Sequence, residues 1–269
     1  MKKIILALIF PVLVFAQDYE LGKVTIQELN QKQHPTDTSA VAAILFSKGK
    51  SFIEYTNTDG FVLISEIEYK IKIYKKEGLN WANKEIAYYV GGTSKESASI
   101  NKATTYNLVN GKIEKTKLNG EGEFKENVNK NWNSLKFTMP NVKEGSIIEY
   151  KYTIKSKYFS NLQDWRFQQI IPVDYSEYKT IIPEYFSYNF YTRGSFKLDN
   201  NKESKSMSIE LLDTRTLAQR NGGARDSDQM SIVETVTLIK AKDVPALIEE
   251  DFSNNIENSS STLSDVEKE

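Results

Sequence analysis

The side chains that could carry catalysis are few, because the sequence has no cysteine and a single histidine, His34. A Ser-His-Asp triad would have to use His34, yet no G-x-S-x-G nucleophile motif accompanies it. A histidine without a partner pattern is typical of a surface residue. Ser-x-x-Lys occurs at Ser47, Ser99 and Ser176, but the other motifs of a serine acyl enzyme are missing. These residues therefore favour a non-catalytic protein.

Carboxylates and metal ligands show no functional spacing either. Paired acids hydrolyse glycosides only when they are held at a defined separation. Asp164, Asp174 and Glu177 lie among aromatic residues, where acids at strand ends and turns are common. Residues 226–228 read Asp-Ser-Asp but lack the remaining oxygen ligands of a calcium loop. The sequence predicts no metal and no cofactor, and a carboxylate hydrolase is the least favoured of three functional readings.

The stretch from Gly145 to Tyr188 is dense in Tyr, Phe and Trp. Half of these aromatic residues share an alternating face with isoleucines, which favours the interior of a sheet with cross-strand aromatic pairs. A carbohydrate-binding surface would instead need rings in loops or on an exposed face. The candidate ligand-binding residues on that reading are Tyr158, Phe159, Trp165, Tyr175 and Tyr185.

Two segments with strict alternation predict half-buried strands. In one segment Ile67, Tyr69, Ile71 and Ile73 alternate with Glu66, Glu68, Lys70 and Lys72; in the other Ile148, Tyr150, Tyr152 and Ile154 alternate with Glu149, Lys151 and Thr153. We expect the apolar sets to point inward and the charged sets to face water. Replacing Ile71 by Ala should then cost about 2–5 kcal/mol. Replacing Lys72 by Ala should cost less than about 0.5 kcal/mol.

Turn and cap signals divide the chain into short elements. Asn110-Gly111, between strand-like runs, predicts a two-residue hairpin turn with positive φ angles. Thr25 to Glu28 fits a capping box and predicts a short helix, and residues 77–83 predict one or two further helical turns. Many short strands with turns between them predict an all-β fold, a large antiparallel β-sandwich with one or two short helices.

The ends of the chain differ from its centre. Residues 1–16 have two lysines before a short apolar run, which predicts a secretory signal peptide; spanning a bilayer needs about 20 apolar residues. Residues 17–251 form the predicted β-sandwich domain. Residues 252–269 are acidic and rich in Ser, which predicts a flexible tail or truncated linker.

Composition narrows the setting and the partners. An exported protein without cysteines depends on its core, and the periplasm or cell envelope of a bacterium is its natural compartment. The net charge is −1 and no basic stripe occurs, so neither a nucleic acid nor an anionic membrane is an expected partner. No segment is apolar enough to span a membrane.

Four segments resemble one family. They are "YKIKIYKKEGLNWANKEIAY", "ATTYNLVNGKIEKTKL", "KFTMPNVKEGSIIEYKYTIKS" and "DWRFQQIIPVDYSEYKTIIPEYF". In sequence and order they are similar to the domain of unknown function 3857 of exported Gram-negative proteins, over roughly Val24 to Phe252. The resemblance implies an accessory domain that usually precedes a transglutaminase-like, papain-type domain with a Cys-His-Asp set. This chain has no Cys, so it takes over no catalytic residue from that set.

Two functional hypotheses follow. The first is a non-catalytic accessory or interaction module of the cell envelope, whose partner is a transglutaminase-like domain, another envelope protein, a peptide or a glycan. The second is a carbohydrate-binding module of the same compartment, which rests on the aromatic content.

Overall fold

The computed structural model describes residues 19–93, 95–160, 162–193, 197–212, 227–247 and 262–266. The predicted signal peptide lies outside these residues, as does Asp226 of the Asp-Ser-Asp stretch. None of the helices within the described ranges is long and apolar enough to cross a membrane.

An eight-stranded sheet forms the main layer, with the strand order β12-β13-β10-β1-β2-β8-β4-β5. Its strands are β1 (Ala42–Thr56), β2 (Gly60–Ile73), β4 (Ser97–Val109), β5 (Lys112–Lys117), β8 (Ile147–Ser156), β10 (Val173–Pro183), β12 (Asp199–Leu212) and β13 (Ser227–Val244).

Two three-stranded sheets and three short helical segments complete the described fold. One small sheet has the order β3-β7-β6 and the other β11-β14-β9. The strands are β3 (Asn83–Tyr89), β6 (Glu123–Asn127), β7 (Trp132–Thr138), β9 (Trp165–Arg166), β11 (Asn189–Arg193) and β14 (Thr262–Val266). The helical segments are the α-helix α1 (Ile26–Asn30) and two 3₁₀ helices (Lys76–Ala82 and Gly120–Gly122).

The predicted fold class is confirmed: strands dominate, and helices are short. One pairing departs from the antiparallel prediction, because β1 runs parallel to β10. A parallel pair needs a crossover of a dozen or more residues. The long excursion from β2 to β9 provides that crossover, and neither strand's own sequence reveals it.

The local signals are confirmed as well. The Thr25 hydroxyl accepts from the Glu28 N–H, the Glu28 carboxylate accepts from the Thr25 N–H, and the helix ends at Asn30. Asn110 and Gly111 both have positive φ, 50° and 75°, between β4 and β5. These are the angles of a primed two-residue hairpin turn.

The predicted inward face of the central strands is also confirmed. Ile71 and Ile148 are fully buried and pair directly across β2 and β8. They belong to the largest apolar cluster, which includes Ile86 of β3 and Leu135 of β7. The β3-β7-β6 sheet therefore covers this face, as one layer of a sandwich covers another.

The opposite face was predicted to be wet, and that prediction is wrong at four positions: Thr153 is 7% exposed, and three charged residues are buried more completely. Lys70, Lys72 and Glu149 are 2%, 0% and 0% exposed. The cause is the segment of residues 19–36, which returns over this face of the sheet. Its Leu29 packs with residues of three strands, namely Leu45, Tyr106 and Ile147.

Hydrogen bonds compensate these buried charges. Lys72 Nζ donates to the carbonyls of Leu29 at 2.8 Å and Gly145 at 2.6 Å. Lys70 Nζ donates to the Glu28 carboxylate at 2.6 Å. A Glu149 carboxylate oxygen accepts from the Gly22 N–H at 2.7 Å, and burial raises the pKa of this carboxyl. Buried polar groups are costly without such partners, and among the described residues only Glu149 Oε1 of these side chains lacks one. The contacts with Gly22, Glu28 and Leu29 hold the N-terminal segment on the sheet.

Part of the predicted tail is a strand. Residues 262–266 form β14, which pairs with β11 and with Trp165 and Arg166 of β9. For these five residues the prediction of a flexible tail is wrong, because they complete a sheet with two strands from the preceding domain. Residues 252–261 and 267–269 lie outside the described residues.

Replacing Lys72 by Ala should lower the free energy of unfolding by at least about 2 kcal/mol. The change deletes a buried aliphatic stem and leaves two buried carbonyls without their donor. Urea denaturation provides the measurement. Lys125→Ala, at an exposed strand position of β6, is the control and should cost less than about 0.5 kcal/mol. Equal small effects at both sites would show that Lys72 reaches water.

The contribution of Lys72 should also depend on pH. Burial, and to a smaller extent the charge of Lys32, lowers the pKa of Lys72 from 10.5 to about 8. Between these values the unfolded chain keeps a proton that the folded chain has released, so stability rises with pH. We expect the stability difference between wild type and Lys72→Met to shift in favour of wild type from about pH 7.5 to about pH 9.5. A difference that stays constant over this range would contradict the assignment.

Candidate functional site

A cavity of about 300 Å³ lies on the isoleucine face of the main sheet. The sheet supplies its floor, residues 163–169 pass over it, and Trp81 and Lys84 close one side. The lining residues are Lys50, Ser51, Glu66, Ile67, Tyr69, Trp81, Lys84, Tyr150, Tyr152, Gln163, Asp164, Trp165, Arg166, Gln169 and Tyr178. The site therefore combines aromatic walls with charged and amide side chains, a mixture typical of ligand pockets.

Trp165 is the centre of the aromatic wall. Its ring stacks on Tyr178 with centroids 5.4 Å apart and lies 6.3 Å from the ring of Tyr69. Its indole N–H donates to the Ser176 hydroxyl at 3.0 Å. The Tyr178 hydroxyl in turn donates to the Ser51 hydroxyl at 2.9 Å. Because both polar tips are satisfied inside the protein, these two rings form a fixed surface rather than a source of free donors.

Gly49 permits this stacking. A Cβ atom at this position of β1 would lie 2.5 Å from Trp165 Cζ3 and 2.7 Å from Tyr178 Cδ2. Real carbon atoms do not approach so closely. Because Gly49 has no side chain, the indole of Trp165 can lie flat against the sheet.

Three further tyrosines of the cavity lining lie on β2 and β8, and their hydroxyl groups differ from that of Tyr178 in their hydrogen bonding. Tyr69 pairs with Tyr150 across the strands, and their rings are 5.3 Å apart. The hydroxyls of Tyr69, Tyr150 and Tyr152 have no hydrogen-bond partner among the residues that the structure describes. Burial raises the pKa of Tyr69 to about 12 and raises the pKa of the other two as well. All three phenols are therefore neutral at physiological pH and are able to donate and to accept.

Lys84 brings a positive charge to the same space. Its Nζ lies 5.8 Å from the centroid of the Tyr69 ring, within the range of a cation–π contact. Burial lowers the pKa of Lys84. Glu66, an acid of the lining, pairs with Lys151 at 3.3 Å. The cavity thus offers neutral hydroxyls and a partly desolvated ammonium group beside aromatic rings.

The five residues predicted to bind a ligand do not form one surface. Trp165 is 4% exposed and lines the cavity, whereas Tyr175 is 5% exposed and lies on the other face of β10. There its ring stacks on Tyr19 at 3.8 Å. Tyr158 and Tyr185 are exposed, outside the cavity lining. Phe159 packs on Phe186 at 5.3 Å in a separate apolar cluster.

Sequence reasoning assigned Tyr69, Tyr150 and Tyr152 to the core and missed their role in the cavity. Their backbone positions are core positions, as predicted. The sequence did contain a chemical signal for this role. Three tyrosines share one sheet face, where aliphatic residues would have filled a core without adding polar hydroxyl groups. Buried tyrosine hydroxyls usually need a partner, so such a group indicates a polar space above the strands.

His34, the one histidine, is buried rather than on the surface as predicted. Its Nδ1 accepts from the Asp37 N–H at 3.2 Å and lies 3.3 Å from the Thr36 hydroxyl. Its Nε2 therefore carries the proton and donates to Asp174 Oδ1 at 2.8 Å. The Nδ1 contacts hold the loop before β1 together, and the Nε2 contact ties this loop to β10, which is a structural arrangement.

A metal site is not formed by the residues with described positions, since no three His, Asp or Glu side chains among them come close enough to hold an ion.

Fold and cavity together define a class, a β-sheet domain that encloses a polar site with aromatic walls. The domain of unknown function 3857 (DUF3857), a family described as having a solved structure, matches residues 64–216. The chain belongs to this family, which confirms the resemblance of the four segments. No protein among the curated sequences matches the chain.

A solved structure shares the fold. It is the crystal structure of a "putative protease" from Parabacteroides distasonis ATCC 8503, with a TM-score of 0.58 and 15% sequence identity. The similarity covers 84% of this chain and 40% of that one, so the present chain spans less than half the length of the solved protein. At this identity the likeness shows the fold alone.

Replacing Gly49 by Ala should distort the cavity. The new methyl group must displace Trp165 or Tyr178, and such overpacking costs about 1–3 kcal/mol. Thermal unfolding, together with the emission maximum of tryptophan, measures the effect. Gly120→Ala is the matched control, since no atom lies within 4 Å of its ideal Cβ position. An unchanged melting point and spectrum for Gly49→Ala would mean that the rings are not held against β1.

Proposed function

We propose that this protein is a non-catalytic accessory module of the bacterial cell envelope and that the aromatic cavity is its binding site. The observation that carries the proposal is the set of three tyrosine hydroxyls that have no hydrogen-bond partner among the described residues and that face a space walled by fixed rings. These hydroxyls are not sealed from water, because they open into the cavity. A ligand with polar groups of its own can therefore replace that water and form hydrogen bonds to all three.

Export and partnership rest on other observations. The lysines and short apolar run of residues 1–16 support secretion, and the lack of cysteine suits a periplasmic chain that relies on its core. The solved structure with the same fold extends well beyond the matching region. The family resemblance supports a transglutaminase-like domain as the partner, with this module binding material on which the partner acts.

A carbohydrate is the ligand class that the cavity favours. Aromatic walls suit the C–H faces of a pyranose, and neutral hydroxyls that both donate and accept suit its hydroxyl groups. The volume of about 300 Å³ is at the lower end for small-molecule sites. It suits one or two sugar rings rather than a long polymer segment. A carbohydrate-binding module is therefore the second form of the proposal.

The proposal predicts no turnover. The purified chain should show no amidase, peptidase or transglutaminase activity above a buffer control. A thermal-shift screen of sugars and short peptides should still find a ligand. The Tyr69→Phe/Tyr152→Phe variant should lose that ligand while it keeps its fold, because only two hydroxyls are removed.

Two results would overturn the proposal. Turnover that survives repurification and disappears in His34→Asn would locate a catalytic site beside Asp174. A ligand that binds the double variant as well as wild type would place binding outside the cavity.

A further inference from the structure

The position of Lys84 raises a question about charge that the proposed function leaves open. Lys84 lies on β3 of the small sheet, paired with Phe137 of β7. Its neighbour Glu85 is exposed and accepts from the Ser134 hydroxyl at 2.8 Å. Because side chains alternate along a strand, Glu85 points away from the cavity that Lys84 lines.

The ammonium group of Lys84 has no anionic partner in the described part of the chain. The salt bridges of nearby lysines leave it out: Lys136 pairs with Glu126 at 2.5 Å and with Glu85 at 3.4 Å. Lys151 pairs with Glu66 and Glu68. Within the described ranges, the recorded contact of the Lys84 ammonium group is with the face of the Tyr69 ring, at 5.8 Å.

A partly buried ammonium without a counterion is unfavourable, and its lowered pKa follows from the same desolvation. A second cation reinforces the field. Arg166 lies close enough to oppose the rise of the Tyr69 pKa. The lining as a whole carries three cations, Lys50, Lys84 and Arg166, against two acids, Glu66 and Asp164. Glu66 is already paired with Lys151, so positive charge is in excess around the cavity.

We propose that the cavity binds a carboxylate-bearing saccharide, with Lys84 as the counterion of the carboxylate and the tyrosine hydroxyls as partners of the sugar hydroxyls. The inference rests on the proposed function and adds the charge of the ligand to it. A carboxylate placed against Lys84 forms a charge-assisted hydrogen bond in a site of low dielectric, where such bonds are strong.

The neutral groups distinguish this ligand from other anions. Phosphate sites in proteins use helix N-termini, backbone N–H groups or forked Arg contacts. This cavity instead presents three separate cationic side chains, Lys50, Lys84 and Arg166, beside the phenols of Tyr69, Tyr150 and Tyr152. A fatty acid would supply the carboxylate but would leave the three hydroxyls unpaired, which a site built for hydrogen bonding rejects strongly. A uronic acid, the simplest sugar with a carboxylate, satisfies both parts.

Titration calorimetry on the full-length chain tests the proposal with four probes: galacturonic acid, its dimer, the methyl ester of galacturonic acid, and galactose. Tryptophan fluorescence provides a second readout, since Trp81 and Trp165 both line the cavity. We expect the acid to bind at least about tenfold more tightly than the ester, as a charge-assisted hydrogen bond contributes about 1.4 kcal/mol or more. The affinity for the acid should fall as salt is added.

Variants separate the two parts of the site. Lys84→Met should remove the preference for the acid and leave the weak binding of the ester unchanged. Tyr152→Phe should weaken acid and ester alike. Lys125→Met, on the exposed side of β6, is the control and should change neither affinity. The melting point of each variant is measured to check that the fold is retained.

Each contrary outcome is specific. Equal affinities for acid and ester in wild type would overturn the role of Lys84 while the proposed function stands. An acid preference that persists in Lys84→Met would place the counterion elsewhere and overturn the inference. Failure of all four probes would overturn it too, whereas the thermal-shift screen decides the proposed function by itself.

Discussion

The parallel pairing of β1 with β10 is the contact on which the site depends. It sets Ser47 beside Ser176 and Gly49 beside Tyr178, residues more than a hundred positions apart in the chain. With β10 in that place, the Ser176 hydroxyl receives the Trp165 indole N–H, and Gly49 leaves room for the ring. An antiparallel or shifted pairing would remove both contacts, because a one-residue slip turns every side chain to the other face.

Both faces of the main sheet are covered by other parts of the chain. On one side it carries isoleucines, tyrosines and the cavity; on the other it carries Lys70, Lys72 and Glu149 beneath the N-terminal segment. Alternation of polar and apolar residues normally marks a face in water. Here the polar residues hydrogen-bond to backbone carbonyl groups and to Glu28 of the capping box. The N-terminal segment therefore forms a third layer on this face. Removing one of these partners would leave a buried charge, which is more damaging than never having built the pair.

How far the sequence predicts the fold follows from the range of each interaction. The capping box at Thr25 and the turn at Asn110-Gly111 were predictable because their geometry is set within a few residues. The inward orientation of the Ile71 side chain was predictable from the alternation of apolar and polar residues alone. The burial of Lys72 was not, because it depends on a segment about forty residues away in sequence. Likewise β14 lay in a stretch whose composition predicts a tail, and only its pairing with β9 and β11 makes it a strand.

The candidate site shows the same division. Trp165, a predicted ligand-binding residue, contributes to the cavity as a buried wall. The polar groups of the site are tyrosines that the alternating pattern assigns to the core. A sequence can tell that Tyr69 and Tyr150 point inward. It cannot tell that the layer above them stops short and leaves a space at their hydroxyls. That space exists because the β3-β7-β6 sheet covers one part of the face and residues 163–169 another. The boundary between two covering layers is thus where a core position becomes a binding position.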